Sequence, residues 1–165
     1  MNNPLDFFDA IYCINLDERT DRWEHSLKQF EKLGISDRVE RFSAIRCKEL
    51  KCRNELADLY GVNLSPQKMW YRFPRPAAVA CATSHLEVIK LAKKRGLNNV
   101  LVFEDDIEVH DDLNENLNCA LDELDNFDWH LFYLGLYMHY GKKTLIRECG
   151  NCLLEHFRHA TQRGV

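Results

Sequence analysis

Apolar positions along the chain fall into two rhythms that take turns. "AIYCINL" (Ala10 to Leu16) is a short β-rich run, and in the "DERTDRWEHSLKQFEKLG" that follows, Trp23, Leu27, Phe30 and Leu33 recur at helical spacing. Asp21 with Glu24 reads as a capping pair for this helix, and Gly34 as its stop. "RVERFSAI" (Arg38 to Ile45) predicts a second strand. A less regular stretch follows, with a short helix around Glu55 to Tyr60 and a proline-bearing loop, "LSPQKMWYRFPRP". Ala77 to Gly96 predicts a helix with Ala82, Leu86 and Ile89 on its apolar face; its basic last turn, Lys93 to Arg95, suits the helix dipole. "NVLVF" then reads as a strand buried on both faces. "DDLNENLNCALDEL" predicts a helix with Leu113, Leu117, Ala120, Leu121 and Leu124 inward, and Trp129 to Gly135 a fourth strand. "TLIRE" and "CLLEHFRHA", joined through Gly150 and Asn151, predict a hairpin at about 144–160.

Strands that alternate with helices, and that are apolar throughout rather than at every second residue, imply a mainly parallel sheet covered on both faces. The expected class is α/β, in a single domain over residues 1–165. In such sheets the ligand sits outside the carboxyl ends of the strands. Those ends are Asn15-Leu16-Asp17, Glu104-Asp105-Asp106 and Leu134-Gly135. Three adjacent carboxylates directly behind an apolar run repel one another, and either a cation or water resolves the conflict. Clustered Asp and Glu favour hard divalent ions such as Mg²⁺ or Mn²⁺. Glu104 and Asp106, as alternate residues of an extended segment, can share one face. A solvated acidic turn that merely starts the next helix is the other reading, and spacing alone leaves both open.

Composition narrows the class. Apolar content of 45% and charged content of 29% are ordinary for a globular chain. A net charge of −4 and a pI near 6.0 argue against a nucleic-acid binder, which usually shows a basic stripe. No apolar run reaches the roughly 18 residues of a transmembrane helix, and "MNNPLDFFDA" lacks the basic and apolar regions of a secretory signal. The seven cysteines are an odd count, which points to reduced thiols and a cytoplasmic setting. Cys149 and Cys152 have CxxC spacing with His156 and His159 nearby, but no second pair completes a zinc site, so a turn flanked by buried thiols is the preferred reading.

The blocks "IYCINLDERTDRW", "ACATSHLEVIKLA", "NVLVFEDDIEV" and "DWHLFYLG", in that order, resemble glycosyltransferase family 25, which includes lipopolysaccharide and collagen hydroxylysine galactosyltransferases. The resemblance covers about Ala10 to Gly135. It implies a GT-A type nucleotide-diphospho-sugar fold and a UDP-sugar donor held with Mn²⁺ (or Mg²⁺). It also implies inverting transfer of a hexose, galactose first, to a glycan or hydroxylysine-type acceptor. By position, the resemblance makes Asp106 a metal ligand and Glu104 a second metal-site residue, directed at the donor ribose or a metal-bound water, with Asp105 between them on the donor side. It places Asn15 and Leu16 against the uridine nucleotide. Arg19 and Arg22 match its basic residues, whose guanidiniums pair with phosphate in two-pronged fashion; solvated surface arginines are the alternative. Ser84 and His85 match its Ser-His pair, although a lone His among helical apolar residues is otherwise a hydrogen-bonded structural group.

Two departures from the family pattern affect what is expected. Ala80 stands where members usually have Gly. Members also run on beyond this length, so the expectation is a chain lacking the family's C-terminal part, with feeble transfer on its own. An inverting transfer needs a base within reach of the acceptor hydroxyl. Asp17, His85 and Asp128 are the positions to examine for it. Two other functions compete: a nucleotide-sugar-binding module without catalysis, and a metal-dependent nucleotidyl- or phosphotransferase. The latter lacks a GxxxxGK[ST] loop, in a chain with only seven glycines.

Overall fold

The computed structural model describes residues 3–46, 76–124, 126, 129–134, 144–149 and 152–156, with backbone alone at 76, 78, 79 and in the last two segments. The chain divides into two compact units, Phe7–Val109 and Met1–Asp6 with His110–Val165. The first unit holds strand β1 (Ala10–Asn15), helix α1 (Thr20–Leu33), strand β2 (Val39–Ser43), helix α2 (Pro76–Arg95) and strand β3 (Val100–Glu104). The strands are parallel and ordered β2-β1-β3, with Ile11 aligned to Val39 and Leu101, and Ile14 to Phe42 and Glu104. The chain steps from β1 to β2 on one side and then returns to β3 on the other. Among the described strands the order therefore reverses at β1, the topological position outside which α/β sheets bind ligands. The expected parallel α/β arrangement is present.

Strand alternation sends successive side chains of β1 to opposite helices. Tyr12 and Ile14 pack with Val88 of α2, and with Phe42, Val100, Val102 and Leu91 around them. On the other face Phe30 of α1 meets Phe103 with ring centroids 5.5 Å apart, and Trp23 meets Phe30 at 6.3 Å. Both helices stop in the same way. Gly34 and Gly96 take left-handed φ of 67° and 70°, where a side chain would be strained. The N–H groups of Gly34 and Ile35 return to the carbonyls of Glu31 and Phe30, and those of Gly96 and Leu97 to Lys93 and Ala92. This satisfies the last carbonyls of each helix.

Several expectations change. Helix α2 buries Ala80, Thr83, Ser84, Val88 and Ala92, whereas Ala82 is exposed, Leu86 half-buried and Ile89 55% exposed. Apolar side chains lie on more than one face of α2, so spacing alone selects the wrong stripe. The side that wins carries small residues and a usable hydroxyl. Ser84 Oγ donates to the Ala80 carbonyl at 2.8 Å and accepts the Ile45 N–H at 2.9 Å, fastening α2 to the segment after β2. In β3 Leu101 is buried and the other four residues are half-buried or exposed, and among the described strands β3 pairs with β1. The Asp21–Glu24 capping pair does not form: α1 starts at Thr20 behind Arg19, with no side-chain cap bond. Asp21 instead lies inside the first turn, where its carboxylate is occupied by Arg19.

Arg95, in the last turn of α2, ties the sheet together. Its guanidinium donates to both carboxylate oxygens of Glu40, at 2.6 and 2.9 Å, and to the Tyr12 hydroxyl at 2.8 Å. These bonds hold the Glu40 carboxyl below its ordinary value of 4.5. A carboxylate lowered by folding contributes stability that is present above its unfolded pKa and is lost as pH falls through the folded value. Arg95→Met is therefore expected to flatten the loss of stability between about pH 5 and pH 3. Urea midpoints measured from neutrality down through that range should differ from the parent chain near neutrality and converge in acid; coincident curves would mean the pair contributes nothing.

The second unit contains helix α3 (Leu113–Leu124) and a hairpin of β4 (Thr144–Cys149) and β5 (Cys152–His156), against which α3 lies. Leu117, Ala120 and Leu124 are buried as expected, with Leu113 and Leu121 half-buried. The hairpin register sets Cys149 opposite Cys152 and Thr144 opposite His156. His156 thus stands at the other end of β5 from the cysteine pair, roughly 13 Å away at about 3.3 Å per residue, too far to share a metal with it. Cys119 is disulfide-bonded, which departs from the expected reduced thiols, whereas Cys13 and Cys81 are free. Residues 129–134 form no strand: no described strand pairs with them, and Leu131 and Tyr133 are 68% and 55% exposed. An apolar run becomes a strand only where a neighbour supplies ladder hydrogen bonds. The predicted helix at Glu55 to Tyr60, the proline-bearing loop, Gly135 and His159 lie outside the described residues. No helix among the described residues is long and apolar enough to cross a membrane.

Candidate functional site

The register that aligns Ile14 with Glu104 brings the next residues, Asn15 and Asp105, together where the strand order reverses. Asn15 is 1% exposed. Its Nδ2 donates to Asp105 Oδ2 at 2.6 Å and to the Arg19 carbonyl at 3.1 Å, and its Oδ1 accepts from Nε and Nη2 of Arg41. Both donors and both lone pairs of the amide are in use. Arg22 Nη1 donates to the other oxygen of Asp105 at 2.9 Å. Asn15 and Asp105 therefore form a buried bracket between β1, β3 and the start of α1.

Helix α1 holds the segment after β3 along one polar edge. Arg22, His25, Ser26 and Gln29 are spaced i, i+3, i+4 and i+7, so they line one side of the helix. Ser26 Oγ donates to the Asp105 carbonyl at 3.3 Å, His25 Nε2 lies 3.1 Å from the Ile107 carbonyl, and Gln29 Oε1 accepts the Val109 N–H at 3.2 Å. Ser26 and Gln29 are buried beside Phe30 and Leu33, so the inward face of α1 is half polar.

The three adjacent carboxylates occupy three environments. Asp105 sits in the bracket. Glu104, one residue earlier, points to the opposite face and meets α2, with Oε1 3.1 Å from His85 Nε2 and 3.6 Å from Cys81 Sγ. The His85 hydrogen bond holds the Glu104 carboxyl below its usual value, against the opposing effect of burial. Burial first, and then the charge of Glu104, push the Cys81 thiol up to about 11. Asp106 is 64% exposed, with Arg22 Nη1 3.8 Å from its Oδ2. The strand ends at Glu104 and the chain turns over 105–106, so strand alternation stops there. Glu104 faces α2, and the ion-pair partner of Asp106 comes from α1. Among the described residues the group able to hold a metal is Cys81, His85 and Glu104, whose ligand atoms lie within 4.8 Å of one another. The sequence reading passed over Cys81, although its i, i+4 spacing from His85 was a usable signal.

The other expected positions are also placed. The Leu16 carbonyl accepts the Arg19 N–H at 2.8 Å and Arg41 Nη2 at 3.4 Å. Arg19 forks onto Asp21 at 2.8 and 2.7 Å, and these bonds bring the Asp21 carboxyl down to about 2. Asp17 Oδ2 accepts from Ser43 Oγ at 2.7 Å, and its carboxylate is 60% exposed. Ser84 has both hydroxyl roles filled by backbone, and Asp128 lies outside the described residues. Arg41, which sequence reasoning did not single out, reaches Asn15, Leu16 and Asp17 while lying 5.3 Å over the Trp23 ring.

A hard cation of the Mg²⁺ or Mn²⁺ type needs one or two protein carboxylates, with water and substrate phosphate completing its shell. Asp106 fits that role: its carboxylate is exposed at the ligand edge of the sheet. Asp105 has both oxygens bonded, and the Glu104 carboxylate is engaged by His85 and Cys81.

The sequence matches glycosyltransferase family 25 (LPS biosynthesis protein) over residues 8–157. It is 30% identical over 136 residues to a probable inactive glycosyltransferase 25 family member 3 of Bos taurus, covering 78% of this chain and 22% of that protein. It is 29% identical over 143 residues to procollagen galactosyltransferase 2 of Mus musculus, covering 78% and 21% respectively. A glycosyltransferase 25 family member of Drosophila melanogaster is 29% identical over 131 residues, covering 77% and 21%. The chain spans about a fifth of the length of these relatives.

Proposed function

Since the chain belongs to glycosyltransferase family 25, we propose that it binds a nucleotide-diphospho-sugar at the carboxyl edge of its parallel sheet and serves transfer of the sugar to a glycan or protein acceptor. The observation that carries this reading is the buried Asn15–Asp105 bracket, which presents the exposed Asp106 at the point where strand order reverses. The donor is a UDP-hexose, galactose first, in keeping with the procollagen galactosyltransferases among the relatives. Asp106 would hold Mn²⁺ or Mg²⁺. The metal, when bound, offsets negative charge that grows on the departing diphosphate. Arg22 bonds Asp105 and approaches Asp106, while Leu16 and Arg19 follow β1 at the same end of the sheet. Inversion requires a base facing the acceptor hydroxyl. Asp17, exposed at the end of β1, is the first residue to test for it, because His85 is turned toward Glu104.

A second reading, binding of a nucleotide-sugar without transfer, is favoured by the word "inactive" in the names of four of the relatives. Calorimetric titration of UDP, GDP and ATP, each with and without Mn²⁺, tests what both readings share. Both expect UDP to bind best and to bind more tightly with the metal. A preference for ATP would replace them with a phosphotransferase, and an absence of nucleotide binding would remove both. Release of UDP from UDP-galactose that depends on a collagen-like or glycan acceptor then separates transfer from binding alone.

A further inference from the structure

We propose that Cys81, His85 and Glu104 form a binding site for a transition-metal ion of the zinc class, distinct from the oxygen-donor position at Asp106. The inference does not depend on the nucleotide-sugar reading. Cys81 and His85 stand one turn apart on α2, so their side chains leave the helix on the same side. Glu104 closes the group from the end of β3, and all three donor atoms lie within 4.8 Å of one another.

Two of the three donor-to-donor edges are close to what a tetrahedral ion requires. With Zn–N and Zn–O near 2.0 Å and Zn–S near 2.3 Å, the edges of a tetrahedron are about 3.3 Å between N and O and about 3.5 Å between S and O. The corresponding separations here are 3.1 Å from His85 Nε2 to Glu104 Oε1 and 3.6 Å from Cys81 Sγ to the same oxygen. Small side-chain shifts admit an ion between them. The existing hydrogen bonds already converge the donors, so little side-chain order remains to be imposed on binding.

Donor chemistry selects the metal. A thiolate and an imidazole suit Zn²⁺ and its neighbours in the first row, whereas Mg²⁺ and Mn²⁺ prefer carboxylate, carbonyl and water. Cys81 would bind as thiolate, its proton passing to bulk solvent. Three protein ligands leave a fourth position for water or another ligand. His85 and Glu104 are 35% and 53% exposed, which gives an ion both entry and that open position.

Cobalt(II) serves as a coloured stand-in for zinc in the purified full chain. The expected result is a thiolate-to-cobalt charge-transfer band with the strong visible absorption of tetrahedral cobalt, removed by one equivalent of Zn²⁺ and untouched by excess Mn²⁺. Cys81→Ser should lose the charge-transfer band, and His85→Gln and Glu104→Gln should each weaken cobalt binding roughly tenfold or more. A charge-transfer band undiminished in Cys81→Ser would assign the thiolate to another cysteine and overturn the proposal. If Cys81→Ser fails to fold by circular dichroism, the other two variants decide: unchanged cobalt affinity in either one overturns it. Displacement of cobalt by Mn²⁺ at low concentration would also overturn it.

Discussion

Replacing Asn15 by alanine is expected to lower the unfolding free energy by about 3 kcal/mol, the range for stripping a partner from a buried charged group. The cause is the number of groups that rely on one amide. Asp105 loses a 2.6 Å donor, the Arg19 carbonyl loses its 3.1 Å donor, and Arg41 loses the acceptor for two of its nitrogens. Arg22 still faces Asp105, so the carboxylate keeps one partner and the loss stays below that of an uncompensated buried charge. Asn15→Asp preserves the shape but sets a second carboxylate against Asp105, and it should be at least as damaging. Combining it with Asp105→Asn restores a donor opposite an acceptor, with Arg41 still able to bond the new carboxylate. The double variant is therefore expected to be more stable than Asn15→Asp alone. Urea denaturation of the four proteins closes the cycle. Additive effects, with no recovery in the double variant, would show that the bracket is not held by this hydrogen bond.

Why some of this was legible in the sequence and some was not follows from what periodicity encodes. Continuous apolar runs at β1 and β3 and helical spacing in α1 mark burial and period. From these the parallel sheet and the carboxylates at the carboxyl end of β3 could be read, because in such a sheet strand ends have a defined place. Periodicity does not encode register. Asn15 and Asp105 are 90 residues apart, and they meet only because Ile14 aligns with Glu104. Nor does it rank competing faces. Ile89 is as apolar as Val88, yet the side with Ala80 and Ser84 is the one buried, since small residues admit close approach and the Ser84 hydroxyl satisfies the Ile45 N–H. Polar residues that face inward are the hardest to anticipate. Ser26 and Gln29 read as surface positions of α1, but they are buried because the backbone after β3 needs hydrogen-bond partners. Arg41 belongs with them: nothing in "RVERFSAI" distinguishes it from a solvated strand arginine until β2 is set beside β1.

Asp106→Ala is expected to remove the Mn²⁺-dependent part of UDP affinity, a loss of at least about tenfold or 1.4 kcal/mol, while leaving stability within about 0.5 kcal/mol. The separation of the two effects is the core of the prediction. Asp106 is 64% exposed and its ion pair with Arg22 is long, at 3.8 Å, so its removal takes little from the folded state. Its neighbour behaves in the opposite way. Asp105 is buried and doubly bonded, and Asp105→Ala should destabilise the chain before any ligand is added. Glu104→Ala should weaken UDP binding less than Asp106→Ala, because the Glu104 carboxylate is directed to His85 and Cys81 on the α2 side. Calorimetry of UDP with and without Mn²⁺, paired with thermal unfolding of each variant, measures all three. If Asp106→Ala keeps the full metal-dependent gain in UDP affinity, the ion is not held there. If Glu104→Ala is the more damaging change at unaltered stability, the metal belongs to Glu104 instead, and the three carboxylates divide their roles in the reverse order.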